Sequence, residues 1–344
     1  MLNKKIKQIF VYNFKSKFYN DFVENELSLN NQKKIKVGIF MALVNTKKML
    51  LDALKGGYAI PAFNVCNLES AQAVAEVAGE LNAPVIISVS EGAGKYAGYD
   101  YIHAIVETAS KHYKNKIALH LDHGKSFEAC KEAINAGFTS VMFDGSALPY
   151  AENVKITQKV VKYAHERGVT VEAELGKIIG TEDMIHSDTE TFTQPDEALD
   201  FATKTGVDSL AISIGTAHGI NKSIATPIIQ YKVIENVHKV LPNLPLVAHG
   251  SSMVPEKWVE LVKKYGGVIK KSQGISEKDI KKMAKTAICK INMDTDLRLA
   301  HTAGVRQDLA EHPEHFDQRD YNKAGKANVK EQVLHALKLV EGLK

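Results

Sequence analysis

Cysteine is scarce in this chain. Cys66, Cys130 and Cys289 are the three present in 344 residues, odd in number and far apart, with no Cys-x-x-Cys pair. That excludes a disulfide-built scaffold and favours a reducing compartment, the cytoplasm. No apolar run approaches the ~18 residues of a membrane span, so no membrane partner is expected. No Gly-x-Gly-x-x-Gly follows the first strand-like segment and no Walker-type loop is present, which removes the commonest nucleotide folds. What remains is an ordinary globular balance, 44% hydrophobic and 24% charged. A chain of this length buries about three quarters of its unfolded surface and needs neither disulfide nor metal merely to fold. It accommodates two ordinary domains or one α/β barrel.

Net charge is also small, +4, and it is unevenly placed. Residues 1–40 hold eight Lys, no Arg and only Asp21, Glu24 and Glu26 as acids, a local +5. The other 304 residues carry 36 basic and 37 acidic groups, a net of −1. Seven of the 25 aromatics also fall in the first forty residues. This segment lacks the long apolar centre of a signal peptide and the Arg of a transit sequence. It reads either as a basic, aromatic arm for nucleic acid or membrane, or as a disordered, non-essential extension ahead of a start at Met41. The second reading is the expectation, with one folded domain over 41–344 and no nucleic-acid partner.

Beyond Met41, short β-branched runs alternate with helical stretches. The strands are expected at Tyr58–Phe63, Val85–Val89, Ile117–Leu121, Ser140–Phe143, Thr170–Ala173, Ser209–Ile212, Leu246–Ala248 and Lys290–Met293. After Asn67, residues Leu68, Ala71, Val74, Ala75, Ala78 and Leu81 share one helical face. Pro195 suits a first helical position, followed by Asp196 and Glu197, and Ser276 with Asp279 resembles a capping box. Eight strand–helix units imply parallel pairing through right-handed crossovers, an α/β fold of the (β/α)8 TIM barrel type.

The strand ends are rich in polar groups: Asn64; Ser90-Glu91; Asp122-His123-Gly124; Asp144-Gly145-Ser146; Glu172 and Glu174; His218-Gly219; His249-Gly250-Ser251-Ser252; Asn292 to Asp296. In a barrel these converge on one face, where catalysis is built. His123, His218 and His249 each follow a strand, and three imidazoles with an open position suit a catalytic Zn²⁺. Any one alone reads sooner as a hydrogen-bonded interior histidine, and it is the three together that favour the metal. His120 is read as a structural partner beneath the site. Asp122 is either an acid/base or an acceptor orienting a ligating histidine. Glu174 is either such an acceptor or an alternate metal ligand. Gly176 to Gln194 shows no helical or strand period and reads either as a lid loop able to carry in a glutamate base or as a solvated acidic loop. Gly250, Ser251, Ser252, Asn292, Asp294 and Thr295, with Gly219 and Lys222, suit a phosphate cradle at a helix N-terminus. Arg298 and Arg319 are candidates for a second phosphate, or are ordinary surface ion pairs. Lys290 begins the eighth strand and is placed at the opposite face of the barrel.

From Met41 onward the chain resembles the class II, metal-dependent fructose-bisphosphate aldolases, in the branch that also holds tagatose-bisphosphate aldolases. The resemblance is carried by Ser90-Glu91-Gly92-Ala93, His120 to Gly124, Ala136 to Met142, Val171 to Gly176, Gly215 to Gly219, His249 to Ser252 and Lys290 to Arg298. It implies one Zn²⁺ per subunit on His123, His218 and His249, with Co²⁺ able to substitute, and a monovalent cation near the first phosphate. Asp122 and Glu182 would be the catalytic acid/base groups, and Asn64 and Ser90 would lie at the substrate. Gly219, Lys222, Gly250, Ser252, Asn292 and Thr295 would hold the ketose phosphate. Arg298 would hold the other phosphate, joined by Arg319 from a neighbouring subunit of a homodimer or homotetramer. Asp294 resembles the fructose-specific rather than the tagatose-specific members. Alternatives kept open are a tagatose-bisphosphate aldolase, another metal enzyme on the same barrel, and a non-enzymatic sugar-phosphate binder. Two segments depart from the family pattern: Phe143-Asp144-Gly145-Ser146 and the bulky Lys177-Ile178-Ile179 at the lid hinge.

Overall fold

The computed structural model describes residues 43–182, 185–187, 191–219, 227–269 and 273–341. The expected extension over 1–40 lies outside the described residues.

The chain first forms α1 (Thr46–Gly56), capped by the Asn45 side chain. Then β1 (Ile60–Asn64), α2 (Leu68–Glu80), β2 (Val85–Ser90), α3 (Glu91–Ala97), α4 (Tyr99–Ser110) and β3 (Ile117–Gly124) follow. The middle of the chain gives α5 (Phe127–Asn135), β4 (Ser140–Phe143), α6 (Tyr150–His165), β5 (Thr170–Leu175), β6 (Ile179–Glu182), β7 (Ile185–Ser187), α7 (Pro195–Thr205), β8 (Ser209–Ile212) and β9 (Ala217–His218). The last part is α8 (Tyr231–Val240), β10 (Leu246–Ala248), α9 (Glu256–Lys264), α10 (Glu277–Met283), β11 (Ile288–Met293), α11 (Thr295–Glu311) and α12 (Gln318–Glu341).

Eight strands close a parallel barrel in the order β1-β11-β10-β8-β5-β4-β3-β2, the (β/α)8 architecture that the alternation implies. All eight expected strands are present. The helix starts also hold: Asn67 and Ser70 form a reciprocal cap on α2, Pro195 opens α7, and Ser276 accepts from the Asp279 N–H. Leu68 departs from its expected apolar face, being 45% exposed in the first turn of α2. The segment after Gly176 departs further. It forms an antiparallel pair, β6 with β7, and β6 also pairs with β9. Ile179, Thr181 and Ile185 are short β-formers whose pairing is set by the neighbouring His218 segment, a long-range contact that local periodicity does not register.

Alternate strand residues fill the barrel in layers. At the strand starts, Ile60, Ala62, Ile86 and Ala118 pack with Met49, Leu50 and Ala53 of α1. Thr46 of α1 reaches Ser140 and Thr170, the first residues of β4 and β5, so this helix closes the amino end of the barrel. Further up, Met142, Ala211 and Val247 form a small apolar layer. Above it, at the carboxyl ends, the interior turns polar. The outward residues of the strands join the large core beneath the helices.

Candidate active site

Asp122 and His123 lie just before Gly124, the last residue of β3, and both are buried. Simple alternation would send consecutive side chains to opposite faces. His123 escapes this by adopting φ 51°, a left-handed backbone uncommon outside glycine, where the β3–β4 register also shifts. Asp122 accepts hydrogen bonds from the side-chain amides of Asn64 (2.8 Å) and Asn292 (2.9 Å). Burial opposes its ionisation, but His123, Lys290 and His249 outweigh that and hold the carboxyl well below the usual carboxylate range. Asn292, expected in the phosphate cradle, thus turns its side chain to Asp122, because β11 alternation puts it inside the barrel with Lys290.

The three histidines come together as expected. Their rings meet edge to face, with centroids 5.2 Å apart for His123 and His218 and 4.4 Å for His123 and His249. One ring nitrogen from each lies within 4.8 Å of the others. Two carboxylates set the ring tautomers. The His123 Nδ1 donates to Asp144 (2.9 Å) and the His249 Nε2 to Glu172 (2.7 Å). Both acceptors are ionised. Burial resists this at each, but His123 and Lys125 hold Asp144 well below its ordinary value, and Lys290 and His249 bring Glu172 down to about 2. The remaining nitrogens, His123 Nε2 and His249 Nδ1, are thereby turned toward each other and lie 2.8 Å apart. Nitrogens so close hold either a shared proton or a metal ion between them. His123 shows the demand: burial disfavours its charged form, yet Asp122, Asp144 and Glu174 push it up to about 10. The donor set fits a divalent cation of the zinc type, with carboxylates behind the imidazoles.

Glu174 adds to that fit. Burial and the charge of Asp144 raise its carboxyl to about 8, and its Oε2 is buried without a hydrogen bond among the described residues. It forms a second candidate metal group with His123 and Asp144. Asp144 and Glu172 had no assigned role in the sequence reading. Both stand in inward phase, Glu172 within β5 and Asp144 directly after β4, which was the available signal. His120, two residues before Asp122, points into the same interior one layer lower, and burial with the nearby Lys290 lowers it to about 3.

Lys290 corrects an expectation. It does not lie at the opposite face of the barrel but inside it, fully buried, 3.0 Å from Glu172 and 3.3 Å from His120. It is the third residue of β11, not the first, and that phase turns it inward.

The candidate cradle is assembled in part. Gly250 has φ 60°, and a Cβ there would lie 2.7 Å from the Ala217 carbonyl oxygen, so only glycine fits. Ser251 is buried with its hydroxyl donating to the His249 carbonyl, and the Ser252 hydroxyl accepts from the Asp294 N–H. Asp296 binds the N–H groups of Met253 and Val254, tying the loop after β10 to the first turn of α11, which Thr295 opens. Arg298 pairs through two nitrogens with Asp294. Gly219 follows β9 with φ 79°. Ser90 caps α3 by accepting from the Ala93 N–H. Arg319 is not brought to this cluster within the chain; it is exposed and pairs with Asp317. The Glu182 backbone ends β6, with its side chain outside the described part, and Lys222 lies outside the described residues.

A parallel barrel that gathers three imidazoles around ionised carboxylates at its strand ends defines a metal-dependent barrel enzyme. The profile described as "Fructose-bisphosphate aldolase class-II" matches residues 44–342. The chain is 44% identical over 321 residues to a fructose-bisphosphate aldolase of Treponema pallidum (strain Nichols), covering 88% of this chain and 97% of that one. It is 43% identical over 299 residues to one from Thermus caldophilus, covering 86% and 97%. The crystal structure of the YdjI aldolase from Escherichia coli K12 superposes with a TM-score of 0.72 at 30% identity, over 88% and 98% of the two chains. The chain belongs to the class-II fructose-bisphosphate aldolase family, whose members are metal-dependent lyases.

Proposed function

We propose that this enzyme reversibly cleaves fructose 1,6-bisphosphate to dihydroxyacetone phosphate and glyceraldehyde 3-phosphate, with Zn²⁺ held by His123, His218 and His249. The observation that carries this is the convergence of one ring nitrogen from each of His123, His218 and His249 within 4.8 Å, beside an ionised Asp122. A metal ion there supplies Lewis-acid stabilisation of the negative charge that develops on the ketose oxygens. The protein residues do the rest. Asp122, ionised and fixed by Asn64 and Asn292, takes the C4 hydroxyl proton in cleavage and returns it in condensation. Glu182, carried on the β6–β7 hairpin, moves the proton at the carbon that becomes the product methylene. Gly219, Lys222, Gly250, Ser252 and Thr295 hold the ketose phosphate, aided by a monovalent cation. Arg298 holds the other phosphate, and Arg319 joins it from a neighbouring subunit of a homodimer or homotetramer. Fructose is favoured over tagatose bisphosphate because Asp294 stands where tagatose enzymes tend to have a small residue.

Among the described residues no helix is long and apolar enough to cross a membrane. The cysteine pattern supports a cytoplasmic enzyme, and a chain starting at Met41 should keep full activity.

Coupled cleavage rates on fructose and tagatose bisphosphates, with and without chelator, test the reading. Chelation should abolish cleavage, and Zn²⁺ or Co²⁺ should restore it. A lysine adduct trapped by borohydride would sink the proposal, since cleavage would then run through a Schiff base.

A further inference from the structure

Beneath the three histidines the barrel interior carries a charge that the proposed reaction does not use. The Lys290 ammonium lies 3.0 Å from each carboxylate oxygen of Glu172 and 3.3 Å from Nε2 of His120. Its three protons have three acceptors. The side chain is fully buried. A buried ion pair of this kind generally adds no stability over apolar side chains of similar volume. The adjoining interior positions, Met142, Ala211 and Val247, are apolar, so this layer of the barrel tolerates apolar residues. Stability alone does not account for a lysine here.

We infer that Lys290 is a positioning residue for the metal site. By gripping both oxygens of Glu172 it fixes the carboxylate so that Oε1 accepts from His249 Nε2 at 2.7 Å. The proton of His249 is thereby kept on Nε2, and Nδ1 is left as a lone pair facing His123. Without Lys290 the Glu172 carboxylate loses the donor that spans its two oxygens and can rotate, and the His249 proton is free to move to the nitrogen that should bind metal. The lysine is itself anchored from below. It donates to His120 Nε2, so the His120 proton sits on Nδ1, which donates to the Ser140 hydroxyl at 2.8 Å. Ser140 in turn meets Thr46 of α1. The orientation of His249 is thus fixed by a polar column that begins where α1 closes the amino end of the barrel.

This inference rests on the reading of His249 as a metal ligand. The test uses full-length, metal-stripped protein titrated with Co²⁺ against a chromophoric chelator, the visible absorption of bound Co²⁺ reporting ligand geometry. The variants are Lys290→Met, Glu172→Gln, their double, His249→Ala, and Val247→Ala as a control that loosens the same interior layer. Lys290→Met and Glu172→Gln should each weaken Co²⁺ binding about 10- to 100-fold and alter its spectrum. The double variant should be no weaker than the weaker single variant, because Lys290 acts through Glu172. Val247→Ala should lower the melting temperature with affinity unchanged. If Lys290→Met fails to fold, the comparison of Glu172→Gln with the double decides. Affinity within twofold of wild type in Lys290→Met, multiplied losses in the double, or loss of affinity in Val247→Ala would overturn the inference while His249→Ala still abolishes binding. Failure of the wild-type chain to take up Co²⁺, or full binding by His249→Ala, would overturn the metal reading and the inference together.

Discussion

Asp122 and His123 are neighbours on one strand, yet both side chains enter the same chamber. The cause is the left-handed backbone at His123, φ 51°, which breaks the alternation of β3 at its last turn. A non-glycine residue held there costs about 1–2 kcal/mol. The expense recurs at sites where function over-determines the backbone, and here it sets a proposed proton carrier directly beside a proposed metal ligand.

The arrangement separates the two roles experimentally. Asp122→Asn keeps the size of the side chain but removes the charge that accepts from Asn64 and Asn292. The cleavage kcat should fall about 10²- to 10⁴-fold. Metal content, measured by elemental analysis, should stay near one ion per chain, because Asp122 is not among the proposed ligands.

Asp144→Asn should show the reverse pattern. Asp144 accepts from His123 Nδ1 and from the Lys125 ammonium on the same oxygen, while its other oxygen serves Ser146. Losing the carboxylate behind a ligating histidine typically costs about 10- to 100-fold in metal affinity. Chelator competition should detect that loss, and excess Zn²⁺ should largely recover kcat.

Gly250→Ala tests the turn after β10. The added methyl would press on the Ala217 carbonyl at 2.7 Å, and the φ of 60° is unfavourable for alanine. Destabilisation of at least about 1 kcal/mol is expected, read as a lower urea midpoint with an unchanged slope.

Away from the site, Glu76 of α2 binds Lys326 and Lys330 of α12. Burial opposes its ionisation, but the two lysines outweigh it and lower the pKa below 4.5. A depressed carboxyl contributes stability above its unfolded value and loses it as pH falls through the folded one. Glu76→Gln should therefore cost about 1 kcal/mol at neutral pH. The gap to wild type should close progressively below pH 4.5, as followed by denaturant melts across pH.

Much of this could be read along the chain because barrel chemistry is local: each strand ends in a short polar stretch, and His123, His218 and His249 stand out in those stretches. What escaped reading was set across strands. Asp144 and Glu172 find their histidines, and Lys290 finds Glu172, only when β3, β4, β5, β10 and β11 lie around one interior. The β6–β7 hairpin escaped because its partner is β9, more than thirty residues further on. The hydrogen bond from Asn292 to Asp122 was likewise set across strands, between β11 and β3.

Arg298 offers the sharpest test against a metal enzyme of another class on this barrel. It lies one turn into α11, and its guanidinium is held by Asp294 in a two-point pair while most of the side chain stays exposed. That pair orients the arginine at the mouth without burying it, which suits a group that meets the outer phosphate of a bisphosphate substrate. Arg298→Ala should raise KM for fructose 1,6-bisphosphate about tenfold or more, equivalent to a lost charge-assisted hydrogen bond of about 1.5–3 kcal/mol. Metal content should not change. For a hydrolase working through a metal-activated water the same substitution would be harmless, so unchanged KM would count directly against a two-phosphate substrate.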